Sequence, residues 1–384
     1  MKNCLLLTGC RFFFIALPFL AVQAHAEPEI RRIGAINWDA ALPTNTYFGS
    51  HVARSLGPER FRNRTPYFAS IVAPCEIMFP ERTSEDFDKE FQYAIDAGLD
   101  YFAYCWYDDC PPPGSIVRGK ASAADGHLGE LTRTRRMHLQ SRLRDKLALC
   151  AILITAHPYS DKALRDLACT MRESCYEKID GRPLVYFFMG EMNGPLMRLK
   201  QFCRAVGVDE PYVVFMDNLG DSHRKCYEAA DALSAYACCH PAANYMSLVD
   251  KCLEYNLARI RTGKPVIPFF SVGWNPLPRV ERPVPWVEYD AVGYAQPPTN
   301  DELFAGARLL KAWIHTHRQS CPTGHVLVFA WNEFEEGGWI CPNVGKSGAA
   351  DLQRLFAFRR ASELLRSNVC SDGVSAMASN EELE

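Results

Sequence analysis

The chain has 384 residues, of which 48% are hydrophobic and 12% aromatic, a composition that builds a large folded core and excludes disorder over most of its length. The formal net charge is −3 with no long basic run, which excludes an electrostatically driven nucleic-acid partner. At roughly 100–200 residues per domain this length fits two or three small domains or one large barrel with insertions.

In chain order, residues 1–26 read as an export signal. Lys2 and Arg11 are its only charges, an apolar stretch covers 12–22, and Ala24-His25-Ala26 forms a cleavage site before Glu27. The apolar stretch is too short to span a bilayer, and no later run is long enough, so no membrane span is expected. The product is expected to be exported, either periplasmic or secreted. Leu7-Thr8-Gly9-Cys10 matches a lipoprotein box but has almost no apolar stretch before it.

Eight short apolar runs follow, at 32–39, 100–108, 147–156, 183–190, 212–218, 232–240, 265–274 and 325–333. Apolar on both faces, they read as parallel strands covered by helices. Helical patterns lie between them at 84–97, 161–175, 193–206, 247–262, 303–318 and 351–365. Ser84 is placed to cap the first, Gly98 follows its end, and Thr299-Asn300-Asp301-Glu302 forms a capping box before the fifth. Repeated strand–helix alternation predicts an α/β chain, a single (β/α)8 TIM barrel over 27–370. The segments 43–66, 111–136 and 275–298 are expected as long loops at the C-terminal rim. The acidic tail 371–384 is expected to fray. A doubly wound open sheet is the alternative, but no glycine-rich phosphate loop follows a strand.

Of 16 cysteines, Cys4 and Cys10 lie in the leader, so fourteen remain, an even number for which several disulfides are expected in an exported protein. Cys105/Cys110 and Cys169/Cys175 are close enough in sequence to pair. The opposing reading is that many of the cysteines are small buried apolar residues. No CxxC pair or HExxH motif occurs, so no zinc site is expected. No motif calls for a metal or a cofactor, although an oxygen-only calcium site would leave no signature.

The strongest chemical signal is Trp331-Asn332-Glu333-Phe334-Glu335-Glu336-Gly337-Gly338-Trp339 at the end of the last apolar run. Three carboxyls within four residues repel one another, and in a cleft at least one is driven toward its neutral form. Two carboxyls of unequal acidity are what acid/base chemistry on a glycosidic bond needs. In a straight strand Glu333 and Glu336 would face opposite ways; the glycines allow a bend that turns both into one pocket. The opposing reading is a solvated acidic turn.

Other residues at strand ends would share the rim: Trp38 and Asp39, Trp106, Tyr107 and Asp108, His157, Glu191, Asp217, His240, and Trp274 with Asn275. The aromatics suit stacking on sugar faces. Core packing is the competing role for the tryptophans, a cap or turn for Asp108, and a structural role for the histidines. Arg133-Thr134-Arg135-Arg136 reads as a solvated helix start or as a clamp for an acidic sugar.

The segment Trp331–Gly337 resembles the signature of family 99 glycoside hydrolases, the endo-α-1,2-mannosidases, and is similar to the related WbsX-like proteins. The stretch Asp100-Tyr-Phe-Ala-Tyr-Cys-Trp-Tyr107 and the segment Phe270-Ser-Val-Gly-Trp-Asn-Pro276 resemble theirs more weakly. The likeness covers about residues 85–345, and Phe334-Glu335 replaces that family's Trp-His. The resemblance implies a TIM barrel and hydrolysis with retention at an α-linkage of an oligosaccharide or polysaccharide, with Glu333 as base on the sugar 2-hydroxyl and Glu336 as acid/base. Trp331, Asn332, Glu335 and Trp339 are expected to line the same substrate site. A carbohydrate-binding barrel without catalysis is the alternative. A WbsX-like glycosyltransferase stands behind both, because an exported enzyme has no nucleotide-sugar supply.

Overall fold

The computed structural model describes residues 30–109, 123–216, 224–290 and 293–367. The leader and the acidic tail lie outside these residues. Eight parallel strands form a nearly closed ring: β1 (Arg32–Asn37), β2 (Tyr101–Trp106), β3 (Ala148–Ile154), β4 (Arg182–Phe188), β5 (Tyr212–Met216), β6 (Ala232–Ser234), β7 (Phe269–Ser271) and β8 (His325–Phe329). Each pairs in parallel with its chain neighbour except β6 with β7, and β8 pairs with β1 to return the ring to its start. This is the (β/α)8 barrel that the alternation of runs predicts.

The ladder is interrupted at one place. Between β6 and β7 it is reduced to one bridge, Leu233 with Val266, made by Leu233 N–H to the Pro265 carbonyl and Ile267 N–H to the Leu233 carbonyl, both at 2.9 Å. Pro265 carries no N–H to extend the ladder in one direction, and in the other the Phe269 N–H is taken by a side chain. Side chains fill the gap. From the helix Tyr245–Ile260, Asn256 donates to the Phe269 carbonyl at 3.1 Å and accepts its N–H at 3.2 Å, while Arg259 donates to the Ser234 carbonyl at 2.7 Å.

The helices are α1 (Tyr47–Leu56), α2 (Ser84–Asp96), α3 (Arg133–Gln140), α4 (Asp161–Thr170), α5 (Asn193–Val206), α6 (Arg224–Ala229), α7 (Tyr245–Ile260), α8 (Leu277–Glu281), α9 (Asn300–Thr316) and α10 (Gln353–Arg366). Three of these, α1, α6 and α8, are absent from the sequence reading, which has α3 as a helix start at Arg133. Helix α2 is capped by Thr83 in a capping box with Asp86, not by Ser84, and its Phe87 and Phe91 are buried against the sheet. The Thr299–Glu302 box caps α9 as its spacing indicates. Gly98 ends the α2 unit at φ +82°, in the left-handed region.

The strands are buried along nearly their whole length, mostly by apolar residues, with the hydroxyls of Tyr101 and Tyr186 hydrogen-bonded to each other at 3.0 Å. At the barrel's N-terminal end a buried ion cluster replaces hydrocarbon. Glu177 accepts from Arg32 Nε at 3.0 Å and from His325 Nε2 at 3.1 Å, joining the first residues of β1 and β8 to the turn before β4. Both ring nitrogens of His325 face acceptors, the other being the Thr323 carbonyl at 2.9 Å.

The twelve cysteines among the described residues are free, which corrects the expectation of disulfides there. Cys169 lies exposed on α4 while Cys175 is buried in the turn beyond it, so they do not meet. Cys110 lies outside the described residues. No helix of the described residues is long and apolar enough to cross a membrane.

Candidate active site

The C-terminal mouth of the barrel holds a cavity of about 420 Å³, walled by the segments that follow seven of the eight strands. The last strand supplies its chemistry. After β8 the chain forms a two-rung antiparallel pair, Asn332 with Trp339 and Glu333 with Gly338, so residues 334–337 make a tight turn. The turn is what brings Glu333 and Glu336, three residues apart, to one cavity wall.

Two glycines permit that turn. Gly337 sits at φ +80°, and a Cβ there would lie 2.7 Å from the Asn275 nitrogen. A Cβ on Gly273 would lie 2.2 Å from the Gly337 carbonyl oxygen. The segments after β7 and β8 therefore meet backbone to backbone, and the Asn275 N–H donates to the Glu336 carbonyl at 2.6 Å. Gly337→Ala is expected to destabilise the fold by about 2 kcal/mol through left-handed strain and this contact. A urea midpoint unchanged from wild type would show that the turn is not tight.

Arg279, on α8, is the hub of the electrostatics. It is fully buried, and its guanidinium lies over the Trp38 ring at 4.9 Å. It donates to Glu336 Oε1, and to Glu335 Oε2 at 3.2 Å, and stands 3.7 Å from Glu333 Oε2. Tyr289 also donates to Glu336 Oε1, at 2.6 Å. Glu335 faces away from the cavity and accepts from the Ser55 hydroxyl. Glu333 accepts from the Tyr236 hydroxyl at 2.8 Å through Oε1, and its Oε2 is buried with no hydrogen-bond partner. Burial first, and the adjacent Glu336 second, push the Glu333 carboxyl well above the usual glutamate range.

Aromatic rings complete the walls. Trp38, Tyr107, His157 and Trp274, all expected at the rim, line the cavity, with Tyr107 and His157 edge to face at 5.5 Å. The indole N–H groups of Trp274 and Trp286 are buried without partners, as is Glu333 Oε2, and all three residues line the cavity. Buried polar atoms are ordinarily paired, so this group has the character of a ligand site. Met189, at φ +60°, also lines it, in a conformation that a non-glycine residue seldom adopts.

Several expected rim residues serve the scaffold instead. Asp39 is buried and accepts from the Thr134 amide at 2.6 Å near the start of α3; burial raises its carboxyl above the usual value. Asp108 accepts from the Ser160 amide at 2.7 Å, at the cap of α4. Trp106 lies under Arg135, 4.0 Å from its ring centre. Trp331 donates to Glu90 at 2.8 Å, and Trp339 packs beneath Arg354 at 4.1 Å. Asn332 accepts from the Trp38 amide at 2.9 Å and donates to Asn37 at 3.0 Å, and Asn275 donates to the Ala295 carbonyl at 2.8 Å. These polar residues sit at strand ends because the next helix or loop needs its backbone groups satisfied there. Glu191 and His240 are exposed and do not line the cavity, and Asp217 lies outside the described residues.

The arginine run is not a clamp. Arg135 and Arg136 hold Asp109 at 3.0 and 2.6 Å, and Arg133 holds Glu81 at 2.6 Å. The sequence reading missed Arg279, Trp286, Tyr289 and Tyr236. The first three lie in the proline-rich 275–298 segment, where a cation and two aromatics on an acidic rim were the available signal. No group of three or more His, Cys, Asp or Glu among the described residues is arranged to hold a metal ion.

No family model matches the sequence, and no curated protein matches it. Among solved structures, the fold is similar to a family 99 glycoside hydrolase endo-α-mannosidase from Bacteroides thetaiotaomicron bound to bis-tris-propane. The identity is 13%, the match covers 86% of this chain and 95% of that one, and the TM-score is 0.50. A second structure of a family 99 endo-α-mannosidase from that organism gives 14% identity, 74% and 80% coverage and a TM-score of 0.45. A family 128 endo-β-1,3-glucanase from Amycolatopsis mediterranei gives 9% identity, 70% and 93% coverage and a TM-score of 0.36. At such identities the likeness is one of fold: this chain has the barrel architecture found in glycoside hydrolases.

Proposed function

We propose that the protein is an exported, retaining glycoside hydrolase that cleaves an α-linked, mannose-containing glycan, with Glu333 and Glu336 as its catalytic pair. One observation carries the hydrolase reading. Two buried carboxyls line one aromatic cavity at the barrel mouth in unequal surroundings, Glu336 on Arg279 and Tyr289, Glu333 on Tyr236 with one oxygen unpaired. Retention, the α-linkage and mannose rest on the likeness of Trp331–Gly337 to the family 99 signature. Export rests on the leader sequence. The walls that would hold the sugar are Trp38, Tyr107, His157, Trp274, Trp286 and Tyr289.

The charge of the cavity favours a neutral substrate. Arg279 is the sole lysine or arginine among its described lining residues, and its guanidinium is committed to the glutamates. A uronic or sulfated sugar would meet carboxylates without a free cation. The test is release of reducing ends by residues 27–384 from a panel of α- and β-linked polysaccharides that includes mannans. Turnover is expected on a neutral α-linked member, at least roughly tenfold faster than on any acidic polymer of the same linkage. Release from none, with glycan binding retained, would make the protein a binding barrel; faster release from acidic polymers would remove the charge argument.

A further inference from the structure

The charges that line the cavity all stand on one side of it. Arg279, Glu333 and Glu336 come from the segments that follow β7 and β8. Across the ring, the ends of β3 and β4 and the segments after β2, β3 and β4 present Leu128, Leu131, Ile154, Ala156, Phe188 and Met189. Among the described lining residues, the polar side chains on this arc are Cys105, Tyr107 and His157. The Tyr107 oxygen already accepts the indole N–H of Trp38 at 3.1 Å, and the Cys105 thiol lies 3.4 Å from the Tyr236 hydroxyl. At about 420 Å³ the cavity falls in the range of sites that take molecules of drug size, so it has room beyond one sugar ring. A second sugar placed against the arc would bury hydroxyls with few partners, and each one left unpaired costs roughly tenfold or more in affinity. A hydrocarbon group placed there gains about fourfold per fully buried methylene.

The arc begins one ring away from the carboxyls. Phe188 stacks on Tyr236 with ring centres 4.5 Å apart, and the Tyr236 hydroxyl donates to Glu333 at 2.8 Å. Its backbone is held in a costly shape. Met189 and Gly190 both lie in the left-handed region, at φ +60° and +78°. Thr155 fixes this turn, its N–H donating to the Phe188 carbonyl at 2.9 Å and its hydroxyl to the Met189 carbonyl. A residue other than glycine or asparagine is strained at such a φ, and strain of this kind gathers at ligand contacts. The half-buried side chain that the turn gives to the cavity is unbranched and adaptable, and fits apolar groups of varied shape. We propose that the substrate carries an apolar group, an alkyl, aryl or acyl substituent, beside the bond that is cut, and that the arc from Leu128 to Met189 holds it. This rests on the hydrolase reading above and adds a substrate class to it: a glycan bearing a hydrocarbon group, not a bare polysaccharide.

Chain-length series test this by calorimetric titration of residues 27–384. One series is the n-alkyl α-glycosides from methyl to hexyl, in which the chain enters as an aglycone. The other is the methyl α-glycoside esterified at its 6-hydroxyl, from acetyl to hexanoyl, in which the chain enters on the sugar. The sugar is mannose, or the terminal sugar of whichever glycan responds in the polysaccharide panel. Affinity is expected to rise about two- to fourfold per methylene in one series, with a heat capacity of binding that grows more negative along it. The series that responds tells which position carries the chain. Equal affinity along both series overturns the proposal and leaves the hydrolase reading intact, since that reading is decided by released reducing ends. A rise in affinity with no wild-type turnover of any glycan or glycoside removes the hydrolase reading, and the proposal falls with it.

Substitutions on the arc locate the effect. Met189→Asn keeps a left-handed backbone, which asparagine accepts, and removes the apolar tip. It is expected to lower the affinity ratio of the longest to the shortest member of the responding series by at least about fivefold. The ratio cancels any change in how the sugar itself is held. Leu131→Asn is expected to lower it in the same direction. If the Leu131 variant does not fold by near-ultraviolet circular dichroism, Met189→Asn alone decides, and an unmoved ratio in it overturns the proposal.

Discussion

Glu333→Gln and Glu336→Gln, made singly, are each expected to cost about 10²–10⁴-fold in turnover of the responding glycan, with the fold and glycan affinity retained. Glutamine keeps the side-chain volume and can still accept the Tyr236 or Tyr289 hydroxyl, so the cavity walls survive. What is lost is a proton that can be given and a negative charge that can be held. The double variant is expected to be little worse than the worse single, because two groups acting on one bond fail as a unit. Released reducing ends measure turnover, and calorimetric titration measures affinity. Full activity in both singles would place the chemistry elsewhere. Stability should respond in the opposite sense. The Glu333 carboxyl is raised above a free glutamate's 4.5, so the folded chain binds more protons than the unfolded chain above that pH. Its contribution is fully present below 4.5 and is lost as pH rises toward the folded value. Glu333→Gln is therefore expected to gain on wild type in urea unfolding as pH rises, a function–stability trade confined to one carboxyl.

At the other end of the barrel the sign reverses. Glu177→Gln is expected to destabilise the protein by about 3 kcal/mol at pH 7, the low end for breaking a buried pair, because Arg32 keeps some contact with water. The substitution removes the anion between His325, at the start of β8, and Arg32, at the start of β1, and leaves Arg32 only Asp100, at 3.6 Å. Burial alone would raise the Glu177 carboxyl. The hydrogen bonds from His325 and Arg32 outweigh it, and the group lies below 4.5 in the folded state. Its stabilisation is complete above 4.5 and disappears as pH falls through the folded value. The wild-type advantage over Glu177→Gln in urea unfolding should thus shrink on acidification below about pH 4, and an advantage that is constant with pH would show that packing, not charge, holds this corner. Activity should follow stability alone, since the cluster lies at the opposite end of the strands from the cavity.

Eight apolar runs were legible as eight strands because a barrel strand is buried on both faces, and their shortness with β-branched and aromatic content set them apart from buried helices. Their rim ends were overdrawn. The run at 232–240 holds a strand of three residues, after which Ala235–Ala237 leave the ladder so that Tyr236 can reach Glu333. Helix α1 carries its own signals, Thr46 as cap and Phe48, Val52 and Leu56 on one buried face, but prolines on both sides of it read as a loop. For the site, residues leaving strands directly, such as Trp38, Tyr107, Trp274 and Glu333, were legible because a strand end fixes where its next residue points. Arg279 and Tyr289 enter from far along a rim segment, and only contacts with α1 and the Glu333–Glu336 turn decide their course. Asp39 and Asp108 show the converse: an acid at a strand end is also the nearest acceptor for the backbone of the helix packed beside it.

The side chains of Asn256 and Arg259 stand where the ladder between β6 and β7 would continue. A wall laced by side chains parts more readily than one sewn by a continuous ladder, since few backbone bonds must break together. Tyr236 follows one lip of this seam and Trp274, with Arg279 behind it, follows the other. A small gape at the seam would draw the phenol that holds Glu333 away from the cation that holds Glu336. The interrupted part of the ladder therefore lies between the phenol that holds Glu333 and the groups that hold Glu336, so the width of the cavity mouth is set there rather than by the continuous ladder opposite.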